Sequence, residues 1–201
     1  MNYLAIDTSG KHLTVVIKYN DEYKTYFTEN CGVDHSSSLM PTVERLIGEL
    51  GICLKDLDVY ACVIGAGSFT GIRIGVSTIK ALCLANGKKC LGVTSFDVIA
   101  YDIKENCVLS VVDAKHGNYY VCGYTGGEVS ISESFVSTEQ LISLKDAYTL
   151  ASFTQIPFEY KKADILNGLI KAVESKQDKV TSDINGLKPL YIRKSQAEEN
   201  R

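Results

Sequence analysis

Long apolar runs, metal-ligand pairs and an excess of positive charge are all missing from this chain. No apolar stretch approaches the about 20 residues that a membrane crossing needs, so no membrane span is expected. The opening segment MNYLAIDTSG has neither a basic region nor a long apolar core, so it does not read as a signal peptide. Lys and Arg number 21 against 24 Asp and Glu, a net charge of −3. That balance argues against a protein that grips nucleic acid by itself, because phosphate contacts need a basic surface. It does not exclude a basic patch, or a partner that supplies one.

There are seven cysteines and no CxxC pair. The number is odd and most lie in apolar runs. They read as buried free thiols, and the chain as a cytoplasmic protein in a reducing compartment. The histidines are His12, His35 and His116, with no HExxH or HxxxH among them; Leu39 occupies the position four after His35. A metal site built on one helix is therefore not expected. No GxSxG elbow is present either.

What is present is a chain of 201 residues with 45% hydrophobic content, enough for one large domain or two small ones. Leu4–Asp7, Leu13–Tyr19 and Tyr23–Thr28 read as strands of an antiparallel meander, separated by TSGKH and NDE turns. Leu39, Val43, Leu46, Ile47 and Leu50 recur at helical spacing, which predicts a helix over Ser36–Leu50 with Pro41 in its first turn. Val59–Ile64 reads as a buried strand and Thr70–Asn86 as a helix stopped by Asn86-Gly87. Leu91–Val93 reads as a strand and Ser95–Asp102 as a short helix. The pattern then restarts. LAIDTSGKHLTVV from Leu4 aligns without gaps with SVVDAKHGNYYVC from Ser110. The second half reads as strands near Cys107–Val112, Tyr119–Tyr124, Val129–Phe135 and Ala147–Ala151. Helices are expected near Thr138–Ser143 and Lys162–Glu174. The chain is expected to divide into residues 1–104 and a smaller unit, residues 105–201, with an extended tail.

Four features invite a chemical reading. The first is GAGSFTGIRIG, Gly65 to Gly75, which looks like a phosphate loop. A Walker A loop needs GxxxxGK[ST], yet Thr70 is the sixth residue from Gly65 and no lysine follows. GxGxxG fails at the same Thr70. What survives is a strand leading through glycines into a helix N-terminus, with Ser68 or Thr70 as cap. The second feature is the helix that follows. Ile72, Val76, Ile79 and Cys83 form a core stripe, while Gly71, Gly75, Thr78, Ala81 and Ala85 form a second stripe of small residues. A helix apolar nearly all round is buried on both sides. An interface with another protein is predicted here, with deep burial inside the chain as the rival.

The third feature is the pair Asp7 and Asp113, each ending a strand. In a duplicated sheet they would face one another and hold a hydrated Mg²⁺ with phosphates; the plainer reading is that Asp favours turn starts. Ser68, His35 and Asp7 also assemble on paper into a hydrolytic triad. The fourth is the tail LYIRKSQAEENR, where Tyr191, Arg193 and Lys194 read as a tether for a partner or nucleic acid, or as a solvated terminus.

In order and spacing, YLAIDTSG, HSSSLMP, GAGSFTGIRIG with STIKAL, VVDAKHGNYY and PLYIRKSQAE resemble the bacterial TsaB (YeaZ) family. The resemblance covers nearly the whole chain. It implies an α/β fold of the actin-like ATPase (ASKHA, ribonuclease H-like) type, with two related mixed-sheet units. It further implies a non-catalytic role in making threonylcarbamoyladenosine on tRNA, beside the paralogous transferase TsaD, whose HxxxH motif this chain lacks. The partners implied are TsaD, the ATPase TsaE, a second copy in isolation, and tRNA through the complex. The expected partner face comprises His35, Leu39, Val43, Gly71, Ile74, Gly75, Thr78, Ala81 and Leu82. No cofactor is expected in the chain alone, with ATP or ADP at a subunit interface left open and Asp7, Asp113 and Ser68 as candidate ligands. The chain departs from the family's GPGSFTG at Ala66. Its second unit is short, and Gly126-Gly127 reads as a hairpin turn rather than an adenine-binding segment. Two enzyme readings stand beside this one: an ATPase or kinase using Asp7, Asp113 and the Gly65–Gly71 loop, and a peptidase, an old label for relatives.

Overall fold

The computed structural model describes residues 1–31 and 34–193. Two five-stranded mixed sheets organise the chain. The first comprises β1 (Tyr3–Asp7), β2 (Leu13–Tyr19), β3 (Glu22–Thr28), β4 (Val59–Val63) and β5 (Lys89–Val93) in the order β3-β2-β1-β4-β5. β1, β2 and β3 form the antiparallel meander, while β4 and β5 add in parallel. The second sheet comprises β6 (Cys107–Lys115), β7 (Asn118–Thr125), β8 (Glu128–Ser137), β9 (Thr149–Ser152) and β10 (Lys161–Lys162). Its order, β10-β9-β6-β7-β8, repeats the first sheet's topology and its mixture of antiparallel and parallel pairs. This is the duplicated actin-like fold.

Turn chemistry sets both meanders. Asn20 and Asp21 at β2–β3, and His116 and Gly117 at β6–β7, all have positive φ. Two such residues in a row match the twist of a tight hairpin. Gly126 and Gly127 likewise have positive φ in the β7–β8 turn.

Helices α1 (His35–Leu50) and α2 (Phe69–Asn86) cover one face of the first sheet. Pro41 lies inside α1, beyond the first turn to which its sequence position assigned it, because the helix begins at His35. Helices α3 (Ser95–Asp102) and α5 (Ile165–Ser175) lie between the sheets. Val98 of α3 joins Leu169, Ala172 and Val173 of α5 against Tyr3, Ala5 and Ala61 of the first sheet. Phe96 and Ile99 of α3 turn to Val108, Cys122 and Ala151 of the second. Gly168 makes this helix crossing possible: a Cβ there would stand 2.1 Å from the Val98 carbonyl oxygen. Short α4 (Thr138–Leu144) covers the far face of the second sheet.

Three details complete the architecture, and the first departs from the sequence reading. α5 starts at Ile165 rather than Lys162, because the Asp164 side chain accepts from the Asn167 amide and caps it; Lys161 and Lys162 form an edge strand instead. The second sheet has no helix between its fourth and fifth strands, where α2 stands in the first. The tail returns to the first sheet, where Thr181 bridges Cys90 and Leu187 is buried.

Among the described residues no helix is long and apolar enough to cross a membrane. All seven cysteines are free; five are buried, Cys107 is half-buried and Cys53 is exposed. Burial pushes the Cys62, Cys83 and Cys122 thiols up, which suppresses their thiolates. In a native thiol titration, one cysteine, Cys53, should therefore react at once and Cys107 slowly. The other five should react only on unfolding; rapid labelling of three or more would contradict this packing.

Candidate functional site

β1 ends at Asp7 and runs into the Thr8–Lys11 turn, which sits against the Gly65–Gly75 loop. Each contact uses a missing side chain. A Cβ on Gly67 would stand 2.2 Å from the Ser9 carbonyl oxygen, and one on Gly71 would stand 2.0 Å from that of Thr8. One on Gly75 would meet Thr8 Oγ1 at 2.7 Å, and one on Gly65 the Leu190 carbonyl oxygen at 2.7 Å. Hydrogen bonds complete the joint. The Thr8 hydroxyl donates to the Gly71 carbonyl at 2.7 Å, and the Ser68 amide donates to the Ser9 carbonyl at 2.6 Å. The Ser95 hydroxyl donates to the Ala66 carbonyl at 2.6 Å. The glycines thus admit the protein's own backbone. Ser68 caps α2 by accepting from the Gly71 amide.

Asp7 is fully buried and both its oxygens are engaged. Oδ1 accepts from the Ser9 amide at 2.7 Å, and Oδ2 lies 2.8 Å from His12 Nε2. Burial works to raise the Asp7 pKa, but the His12 charge and these hydrogen bonds outweigh it and hold the carboxyl below its ordinary value. For His12, burial works to lower the pKa; the Asp7 charge and hydrogen bond outweigh it and raise it. Asp113 sits at the matching place in the second unit. Its carboxylate accepts from the Lys115 amide at 2.8 Å and pairs with Lys115 Nζ at 2.6 Å. Both aspartates serve their own turns. Among the described residues no group of three His, Cys, Asp or Glu side chains is placed to hold a metal ion.

The paper triad does not form. His35 Nε2 bonds the His12 carbonyl at 2.8 Å, Asp7 pairs with His12, and Ser68 is a cap.

The residues of the expected partner face divide by their exposure in the chain. His35, Leu39, Val43, Gly71 and Gly75 are all buried within the chain. Val43 belongs to the core under α1, and Gly71 and Gly75 close on Thr8 rather than on a neighbour's helix. Ile74, Thr78, Ala81 and Leu82 do reach the surface. Ile74 and Thr78 line a groove of about 560 Å³ between α1 and α2, walled by Leu39 and Met40 on one side and Phe69, Arg73, Ile74 and Ser77 on the other.

Sequence reasoning missed the ledge beside that groove. The Phe69 and Tyr191 rings stack with centroids 4.8 Å apart. The Arg73 guanidinium lies 3.8 Å over the Phe69 ring and its Nε donates to Tyr191 Oη at 2.8 Å. Phe69 is 36% exposed and Tyr191 43%, and Leu84 farther along α2 is 72% exposed. The sequence marks Tyr191 only as part of a tail; nothing in its spacing from Arg73 reveals the contact. Arg193 lies 4.4 Å over the Phe135 ring, and Lys194 falls outside the described residues.

A duplicated actin-like fold with a self-filled glycine loop and an exposed helix pair defines the class. Residues 14–167 match the family model described as TsaD, tRNA N6-adenosine threonylcarbamoyltransferase. The chain is 32% identical to the tRNA threonylcarbamoyladenosine biosynthesis protein TsaB of Buchnera aphidicola, over 58% of this chain and 57% of that protein. It is 27% identical to the protein of the same name from Bacillus subtilis, over 98% of this chain and 96% of that one. A solved Pseudomonas aeruginosa protein, described as similar to peptidase YEAZ, superposes with a TM-score of 0.80 at 21% identity, covering 96% of this chain and 99% of its own. The chain therefore belongs to the family this TsaD model describes and, within it, to the TsaB (YeaZ) group.

Gly71→Ala should cost about 2–3 kcal/mol or more, because its Cβ meets backbone that cannot yield. Gly48→Ala, on the open face of α1, should instead stabilise by about 0.5–1 kcal/mol. Chemical denaturation of the two variants compares them. For the pair, the raised His12 pKa adds stability below its ordinary 6.5 that fades as pH rises through the folded value. The lowered Asp7 pKa adds stability above its ordinary 3.8 that fades as pH falls through the folded value. The Tm deficit of His12→Gln should be widest between about pH 4 and 6.5 and shrink toward pH 9. A deficit that grows with pH would contradict the pair.

Proposed function

We propose that this chain is a non-catalytic docking subunit in tRNA threonylcarbamoyladenosine synthesis. It binds a TsaD-type transferase through the exposed face of α2 and its groove with α1. The related proteins carry names that assign them to that biosynthesis. The observation that carries the docking reading is α2 itself. Its glycines are spent on the chain's own turn, yet Ala81 and Leu84 are exposed, and Ile74 and Thr78 are half-buried on a groove of apolar and hydroxyl side chains. A lone surface apolar residue needs no explanation, but a contiguous patch marks an interaction site.

The non-catalytic part rests on side chains already occupied. Asp7, Asp113, Ser68 and His35 each serve the fold, and no HxxxH pair exists. The same occupancy weighs against an independent ATPase and against a peptidase. In this account tRNA and the ATPase TsaE engage the assembled complex, and the chain alone uses the same face to pair with a second copy.

The test is reconstitution of the modification from the transferase, TsaE and the enzyme supplying threonylcarbamoyl-adenylate. Activity should depend on adding this chain and be lost with Ala81→Arg. Ala81 is exposed, so the variant's own stability should change by no more than about 0.5 kcal/mol. Full activity without the chain, or with a folded Ala81→Arg, would refute the role. Arginine at Gly75 is unsuitable, because that position is buried against Thr8.

A further inference from the structure

Among the described residues, the lining of the α1–α2 groove is apolar and hydroxylic apart from one charge, Arg73. Among the described residues no carboxylate pairs with Arg73; its contacts are the Phe69 and Tyr191 rings and the Tyr191 hydroxyl. A guanidinium stacked on an aromatic ring and tied at Nε still has its Nη donors to offer, in the fork that matches a carboxylate.

We infer that the groove receives a partner helix carrying an acidic side chain opposite Arg73, and that Tyr191 is a positioning residue that holds Arg73 in place to receive it. The inference rests on the docking reading above and names the chemistry of the partner's contact. A cleft bounded by two helices, with Leu39 and Met40 on one wall and Ile74 on the other, fits a third helix laid along it. Arg73, the one charged side chain among the described residues of the groove, then selects the occupant, because an apolar segment without a carboxylate would leave it desolvated and unmatched.

Tyr191 reaches Arg73 because the chain beyond α5 is fixed to the first sheet. The Leu190 amide donates to the Ile64 carbonyl at 2.7 Å, and the Leu190 carbonyl lies against Gly65. These anchors set the next residue over the N-terminal turn of α2, where it stacks on Phe69. The tail thereby completes a surface made mostly by residues far from it in sequence. Exposed Phe, Tyr and Arg beside an apolar groove have the composition of an interface hot spot.

The experiment titrates the full chain with the TsaD-family transferase of the same cell, with Tm as a check on folding. Arg73→Glu should weaken binding at least about tenfold. Tyr191→Ala should weaken it about as much as Arg73→Ala, and the double variant no further, since one acts through the other. Tyr191→Phe, which keeps the ring but loses the hydrogen bond, should fall between Tyr191→Ala and the parent. Added salt should weaken the parent but not Arg73→Ala. Unchanged binding by Tyr191→Ala or Arg73→Glu, with Ala81→Arg still abolishing it, would overturn this inference and leave the docking reading standing. Unchanged binding by all three would overturn both. Loss of self-association by Arg73→Glu with transferase binding intact would make a second copy the occupant, and would overturn the assignment to a partner helix.

Discussion

The structure hangs on the contact between the turn after β1 and the glycine loop before α2. Three glycines, Gly67, Gly71 and Gly75, stand where Cβ atoms would fall within 2.7 Å of Thr8 or Ser9 atoms. Backbone approaches of that kind are available to glycine alone. They fix where α2 begins and which of its sides faces the sheet. They also turn the Ser68–Ala85 stretch outward along Ile74, Thr78 and Ala81. The buried Asp7–His12 pair locks the same turn from within, and the Ser95 hydroxyl ties the loop to the start of α3. A segment that resembles a phosphate cradle is thus a joint between strand, loop and helix.

The proposed docking face lies on the first unit, and the duplication is unequal there. Both sheets share one strand order, and each has a helix after its third and fifth strands. Only the first has a helix between its fourth and fifth. In the second unit that connection carries Ile156 and Phe158, which pack against the sheet without a helix. α3 and α5 bind the two sheets together through Val98 and Gly168, so the units are not independent in their packing. The tail then crosses back and places Tyr191 on α2.

Most of the fold was legible because periodicity and turn chemistry are local. The meanders, both amphipathic helices, the restart at Ser110 and the Gly126-Gly127 hairpin are written in spacing. The site was half legible. The small residues of α2 do signal close packing, but composition cannot say against what: Gly71 and Gly75 meet Thr8, whereas Ala81 meets solvent. Asp7 and Asp113 were visible as strand-ending carboxylates. Their partners, His12 and Lys115, follow from the turns that bring them back. The Phe69–Arg73–Tyr191 ledge was illegible, because it joins residues far apart in sequence through a tail whose path only the folded chain sets.

If the loop is a joint filled by the chain's own atoms, the isolated protein has no room there for a nucleotide phosphate. Calorimetric titration of the isolated chain with Mg-ATP tests this most directly. No saturable binding is expected at millimolar nucleotide. Tight binding that disappears in Asp7→Ala would contradict it and restore the loop as a phosphate site.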